Sequence, residues 1–164
     1  MEGFQGKFQE RFIAQALKKA NLTLSIAESC TGGLVCHKIT NIPGSSEYFI
    51  MGIVSYSNKS KIDFLGVPEN IIKRYGAVSR QTARYMAEGI RNKAKTNISL
   101  SITGIAGPTG GTPKKPVGLV YIGLASDNKP TLVKKYQFKG SRIEIKQKAA
   151  NNALKLLSNF LENA

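Results

Sequence analysis

Apolar positions along the chain alternate between a helical and a strand period. Phe8, Phe12, Ile13, Ala16, Leu17 and Ala20 recur at helical spacing and predict an amphipathic helix ending near Asn21. Leu22 to Ala27 is an apolar run rich in β-formers, and Tyr48 to Tyr56 and Ile98 to Thr103 are two more, giving three strands. Val117 to Ala125 and Leu132 to Phe138 are separated by Ser126-Asp127-Asn128-Lys129-Pro130 and read as an antiparallel hairpin. Helices fill the intervals. One runs from Thr31 to about Ile39 and is closed by Asn41-Ile42-Pro43-Gly44-Ser45-Ser46. A short one carries Lys59 to Leu65 and is capped by Ser57 or Asn58. A further helical turn restarts at Pro68, and a longer helix capped by Ser79 buries Ala83, Met86, Ala87 and Ile90. Ile145, Ala149, Ala153, Leu154, Leu157 and Leu161 mark the last helix, which begins just after Gly140-Ser141-Arg142.

This order predicts an α/β fold with three layers, a mixed sheet of about five strands and helices on both faces. Residues 1–164 are expected to form a single domain, with an N-terminal helix over 1–21 and an α/β core over 22–164. In such folds ligands gather where strands end and helices begin. Ser29, Tyr56 and Gly104 all close or follow predicted strands, so the topology can bring them together.

Composition narrows the function classes. No apolar run approaches the roughly 20 residues needed to cross a membrane, and Met1-Glu2-Gly3-Phe4 has no signal-peptide pattern, so a cytoplasmic protein without membrane partners is expected. The net charge of +14 invites nucleic acid, but the lysines are scattered and no aromatic-laced or helix-turn-helix motif accompanies them. A small anionic substrate accounts for the charge equally well, and nucleic acid is not the expected partner. Cys30 and Cys36 lie on different faces of one predicted helix, which disfavours a disulfide, and with His37 they make a poor zinc site. No metal is expected.

The candidate chemistry begins at Ala27-Glu28-Ser29-Cys30-Thr31-Gly32-Gly33, a strand end, a tight turn and a helix start. Free N–H groups there suit an oxyanion or a phosphate. Read alone, Ser29 or Thr31 serves equally well as a helix cap. Ala27 and Thr31 stand where a nucleophile elbow needs glycines, so Ser29 is not that kind of serine. The Gly104-Ile105-Ala106-Gly107 stretch opens a glycine-rich loop that permits close ligand approach, and no Gly-Lys-Ser/Thr follows to make it a Walker loop.

A serine needs a base. His37, the sole histidine, would lie about 9 Å along the helix from the turn at roughly 1.5 Å per residue, too far for a triad. A lysine serves instead when burial lowers its pKa. Lys61 is the best placed, about one helical turn past the Tyr56 strand, and Tyr56 is then positioned to relay a proton or orient the amine. Solvation for Lys61 and packing for Tyr56 remain the plain alternatives.

The Ser29 motif, Pro43-Gly44-Ser45-Ser46, Tyr56-Ser57-Asn58 with Lys61, Gly76-Ala77-Val78-Ser79, Gly104-Ile105-Ala106-Gly107-Pro108 and Lys115-Pro116-Val117-Gly118 together resemble the C-terminal domain of the bacterial CinA proteins. That family includes stand-alone nicotinamide-nucleotide amidohydrolases, also called nicotinamide mononucleotide deamidases. The resemblance implies hydrolysis of the carboxamide of nicotinamide mononucleotide to the nicotinate nucleotide and ammonia, in pyridine nucleotide salvage, without a cofactor. It implies Ser29 as nucleophile, Lys61 as base, Tyr56 as its helper and Arg142 as an arginine important for activity; where the family often has an acidic residue, this chain has Ser141. N–H groups around Thr31, Gly32 and Gly33 are expected to hold the oxyanion. Ser46, Arg142 and the backbone of Gly104, Ile105, Ala106 and Gly107 are expected to hold the nucleotide. Longer family members carry an N-terminal molybdopterin-binding-like domain, which this chain is expected to lack, and that domain's activities are not expected of it. The competing readings are a non-catalytic nucleotide-binding module and a basic, competence-related nucleic-acid interaction protein. A homo-oligomer is compatible with the domain's size.

Overall fold

The period-two runs assemble into one mixed sheet. A computed structural model describes the backbone of residues 2–163; Met1 and Ala164, which the expected domain includes, lie outside the described residues. In chain order the elements are α1 (Glu2–Lys19), β1 (Leu24–Glu28), α2 (Leu34–Thr40), β2 (Phe49–Val54), α3 (Asn58–Leu65), α4 (Glu69–Tyr75), α5 (Arg80–Ala94), β3 (Ile98–Gly104), β4 (Leu119–Ser126), β5 (Leu132–Gln137) and α6 (Arg142–Glu162). The strand order is β2-β1-β3-β4-β5. β2, β1 and β3 run parallel, and β4 and β5 add antiparallel strands, the pair expected as a hairpin. The fold is the expected α/β arrangement of five strands between helical layers. No helix among the described residues is long and apolar enough to cross a membrane.

The two faces of the sheet are built differently. Leu24 and Ile26 of β1 and Ile98, Leu100 and Ile102 of β3 point into the larger core with α1, α2 and α6. On the opposite face β3 presents Ser99, Ser101 and Thr103, beside a second apolar cluster of Ala27, Leu65, Val67, Ile72, Met86 and Ile90. Ser99 and Ser101 donate to the carbonyl oxygens of Ala87 and Ala83 on α5 at 2.7 and 2.6 Å, and Thr103 donates to Ala77 at 2.8 Å. The hydroxyls compensate for burial by bonding α5's carbonyls, and α5 sits close on the sheet as a result. Gly123 lies under the same helix, where a Cβ would come within 2.9 Å of the Ala83 oxygen.

Element boundaries moved where backbone conformation overrode side-chain pattern. α2 begins at Leu34 and not at Thr31, because Gly32 and Gly33 take φ of 63° and 96°, left-handed values that a right-handed helix does not admit. β2 stops at Val54; Ser55 still donates its N–H to the Glu28 carbonyl of β1 at 2.8 Å, and the chain leaves the sheet at Tyr56. The expected caps are present: Ser57 accepts from the Ser60 N–H at 3.0 Å and Ser79 from Thr82 at 3.1 Å. Ser141 caps α6 in a capping box with Glu144.

α5 is also pinned against α3 through a glycine. A Cβ on Gly89 would lie 1.8 Å from the Leu65 carbonyl oxygen, and backbone at that point has no room to give. Gly89→Ala is expected to lower stability by about 2 kcal/mol despite alanine's better helix propensity, since overpacking a close contact costs roughly 1–3 kcal/mol. A thermal melt beside wild type measures it; an unchanged or raised midpoint would show that α3 and α5 separate without cost.

Candidate active site

The parallel strands β1, β2 and β3 end on the same side, and their trailing loops converge there. Ser29 follows β1, Lys61 comes from α3 just after β2, and the Gly104 loop follows β3. These residues line one cavity of about 250 Å³ together with Tyr56, Gly107 and Arg142.

Lys61 is 1% exposed, although a lysine is almost never buried without a reason. Its Nζ lies 3.0 Å from Ser29 Oγ, 2.7 Å from the Ser55 carbonyl oxygen and 3.2 Å from that of Tyr56. No carboxylate is among those partners. Burial pulls the Lys61 pKa from its ordinary value down to about 8, because an ammonium loses hydration there without gaining a counter-charge. The geometry suits both protonation states. A neutral amine has two N–H groups for the two carbonyls and a lone pair left for the Ser29 hydroxyl proton. Turning the chain at Ser55 and Tyr56 is what points those two oxygens at α3.

Two sequence-based roles change at this point. The Tyr56 phenol does not orient the amine; its main-chain oxygen does, while the side chain is 59% exposed and its hydroxyl accepts from Arg142 Nη2 at 2.8 Å. Arg142 also donates from Nη1 to the Gly107 carbonyl at 2.6 Å. That guanidinium therefore ties the first turn of α6 to both the β2 and β3 loops. The N–H groups expected to hold an oxyanion are also partly occupied. Gly32 donates to the Ser29 carbonyl at 3.0 Å and Gly33 to the Glu28 carboxylate at 3.0 Å. The N–H groups of Cys30 and Thr31 have no backbone acceptor among the described residues.

Glu28 is the functional neighbour that the pattern did not single out. Its fully buried carboxylate accepts from the N–H groups of Gly33, Val35 and Cys36 at 3.0, 3.2 and 2.8 Å. An acid at the end of a strand thereby closes the start of α2 and holds the Ser29 turn rigid. The signal was the carboxylate in an otherwise apolar strand, which needs donors when buried. Ala77 and Val78 also line the cavity. They belong to Gly76-Ala77-Val78-Ser79, which the resemblance had marked without a role.

The remaining expectations divide by position. Gly104, Ile105, Ala106 and Gly107 do line the Ser29 cavity. Ile105 uses both its main-chain groups inside the protein, donating to Leu119 and accepting from Gly118. Gly107, at φ of 78°, leaves no room for a Cβ beside Val117. Thr31, Gly32 and Gly33 line a neighbouring cavity instead. Ser46 is not brought to the site: it sits exposed in a 3-10 turn before β2, at the opposite end of that strand from Tyr56, because a parallel strand separates its two flanking loops by its whole length. His37 is exposed, with no contact to Ser29, and the Cys30 thiol is pushed up to about 12 by burial and stays protonated. Among the described residues no three His, Cys, Asp or Glu side chains gather where they would hold a metal ion.

The arrangement has counterparts among known proteins. Residues 7–161 match the family model described as the CinA C-terminal domain. A CinA-like protein of Kosmotoga olearia is 54% identical over 88% of this chain, and one of Desulfotalea psychrophila is 48% identical over 97% of it. The chain spans 35% and 38% of the lengths of these two relatives. Among solved structures, the competence/damage inducible protein CihA from Agrobacterium tumefaciens superposes with a TM-score of 0.92 at 39% identity, over 96% of this chain and 95% of that one. A competence or damage-inducible protein from Enterobacter asburiae gives 0.91 at 31% identity, over 95% and 98%. The matched span takes in every strand, the Ser29 turn, Lys61 and the Arg142 end of α6, and on that extent the chain belongs to the CinA C-terminal domain family.

Proposed function

We propose that the protein is an amidohydrolase that converts nicotinamide mononucleotide to nicotinate mononucleotide and ammonia through a Ser29 acyl-enzyme. The observation that carries the reading is the 3.0 Å contact between Ser29 Oγ and the buried Nζ of Lys61. With a pKa near 8, about a tenth of Lys61 is neutral at pH 7, enough to accept the Ser29 proton as the hydroxyl attacks the amide carbon. A lysine at its ordinary value would be neutral far less often.

The steps balance with water as the only co-reactant. Ser29 Oγ bonds to the carboxamide carbon and its proton passes to Lys61. The tetrahedral intermediate carries its negative oxygen toward the Cys30 and Thr31 N–H groups, whose acceptors are vacant among the described residues. Lys61 returns the proton to the departing nitrogen and ammonia leaves. Water, deprotonated by the same amine, then cleaves the ester and restores Ser29. The Arg142–Tyr56 pair closes one wall of the cavity and positions the nucleotide against the serine.

Ammonia release from nicotinamide mononucleotide by purified protein tests the reading. Wild type is expected to be active, and Ser29→Ala and Lys61→Arg to lose on the order of a thousandfold or more with unchanged circular dichroism, since arginine keeps a charge but cannot serve as a base. Near-normal turnover by Ser29→Ala would remove the serine mechanism. For wild type, kcat/KM should rise tenfold per pH unit and level off above about 8, as Lys61 loses its proton. Tyr56→Phe keeps the main-chain oxygen on Lys61, so it should lower activity modestly without moving that inflection; a shifted inflection would return the phenol to the proton path.

A further inference from the structure

A second cavity, about 380 Å³, adjoins the first across the Ser29 turn and the first turn of α6. Ser29, Cys30 and Arg142 line one cavity, and their chain neighbours Thr31, Gly32 and Ile143 line the other with Lys146. A substrate anchored at Ser29 that reaches past the turn would enter it. On the amidohydrolase reading above, that substrate carries a phosphate monoester, and the phosphate needs a cation.

The lysine and arginine side chains lining the two cavities are Lys61, Arg142 and Lys146. Lys61 is bonded to three oxygens and works as a neutral amine. Arg142 donates one N–H from each terminal nitrogen to Gly107 and Tyr56, which fixes its guanidinium at the wall of the first cavity. Lys146 is half-buried, and among the described residues it has no hydrogen bond and no ion pair; its Nζ hangs 3.5 Å from where a Gly32 Cβ would stand. No carboxylate lines either cavity to neutralise it. Glu28 closes the start of α2, whereas the capping box on α6 occupies only the Ser141 and Glu144 N–H groups; among the described residues those of Arg142 and Ile143 have no acceptor, and Ile143 lines the second cavity, so the first turn of α6 adds N–H donors beside the Lys146 ammonium. The same cavity also borders Thr31, whose buried hydroxyl has no partner among the described residues, a state that costs free energy unless a ligand or water relieves it.

We infer that this second cavity is the phosphate subsite of the active site, with Lys146 pairing with the substrate's phosphate monoester. Lys146 lies one helical turn beyond Arg142, on the same side of α6, so one helix supplies the guanidinium that shapes the carboxamide cavity and the ammonium that holds the other end of the nucleotide. The open Gly32 position above the turn gives the phosphate room to reach that ammonium.

The test compares nicotinamide mononucleotide with its phosphate-free nucleoside, nicotinamide riboside, in wild type, Lys146→Ala and Lys146→Arg. Lys146→Ala should raise KM for the nucleotide on the order of ten- to a hundredfold, with kcat nearly unchanged, the loss expected for one charge-assisted hydrogen bond. Lys146→Arg should recover most of it, and riboside turnover should not respond to Lys146 at all. Ribose 5-phosphate binding by titration calorimetry separates this inference from the amidase reading. Binding that needs Lys146 in a protein that releases no ammonia would keep the subsite and remove the amidase. Turnover of the nucleotide with KM indifferent to Lys146, or an equal effect on nucleotide and riboside, would overturn the subsite and leave the amidase standing.

Discussion

A lysine ammonium taken out of water with no counter-ion is the constraint on which the rest of the site depends. Burying Lys61 costs free energy that a surface position would not, and the protein lowers that cost with oxygens only, from Ser29, Ser55 and Tyr56. An aspartate in the same place would have stabilised the charge and kept the amine protonated. Uncharged acceptors instead leave the amine easily deprotonated, and their geometry decides which direction its lone pair faces. The loop between β2 and α3 therefore does chemical work through its main chain, which is why its Tyr56 side chain is free to point into the cavity and meet Arg142.

Around that lysine the fold keeps positive helix ends away from competing roles. Glu28 closes α2 from behind the serine turn, and the Ser141–Glu144 box closes α6. Each cap rigidifies its segment, and Glu28 also occupies the N–H groups that the start of α2 would otherwise present. The net charge of +14 gives a general attraction for anions, while the position of one or two side chains decides where an anion comes to rest.

The sheet supplies the rigidity behind both. The hydroxyl face of β3 and the glycines under α5 and α3 let helices approach closely, and Thr103 anchors the Ala77 loop that forms one side of the cavity. Small side chains are the means of that approach, and a larger core residue in those places would move the loops that carry the chemistry.

By itself the sequence determined the element order, the α/β class and the caps, because hydrophobic period and capping chemistry are local and need no partner. It also marked Ser29, Lys61 and Arg142, through motifs read together with the resemblance. Four matters needed the tertiary structure. Glu28 became a helix cap only once the glycine turn curled α2 back over the end of its own strand. Tyr56 exchanged a side-chain role for a main-chain one because the direction of a carbonyl depends on the turn it sits in, which no residue type encodes. Ser46 was separated from Ser29 because a parallel strand sends its two ends to opposite edges of the sheet, and Lys146 was placed beside the serine turn because α6 packs against α2. Spacing along the chain carries the first kind of information, and only the packing of distant segments carries the second.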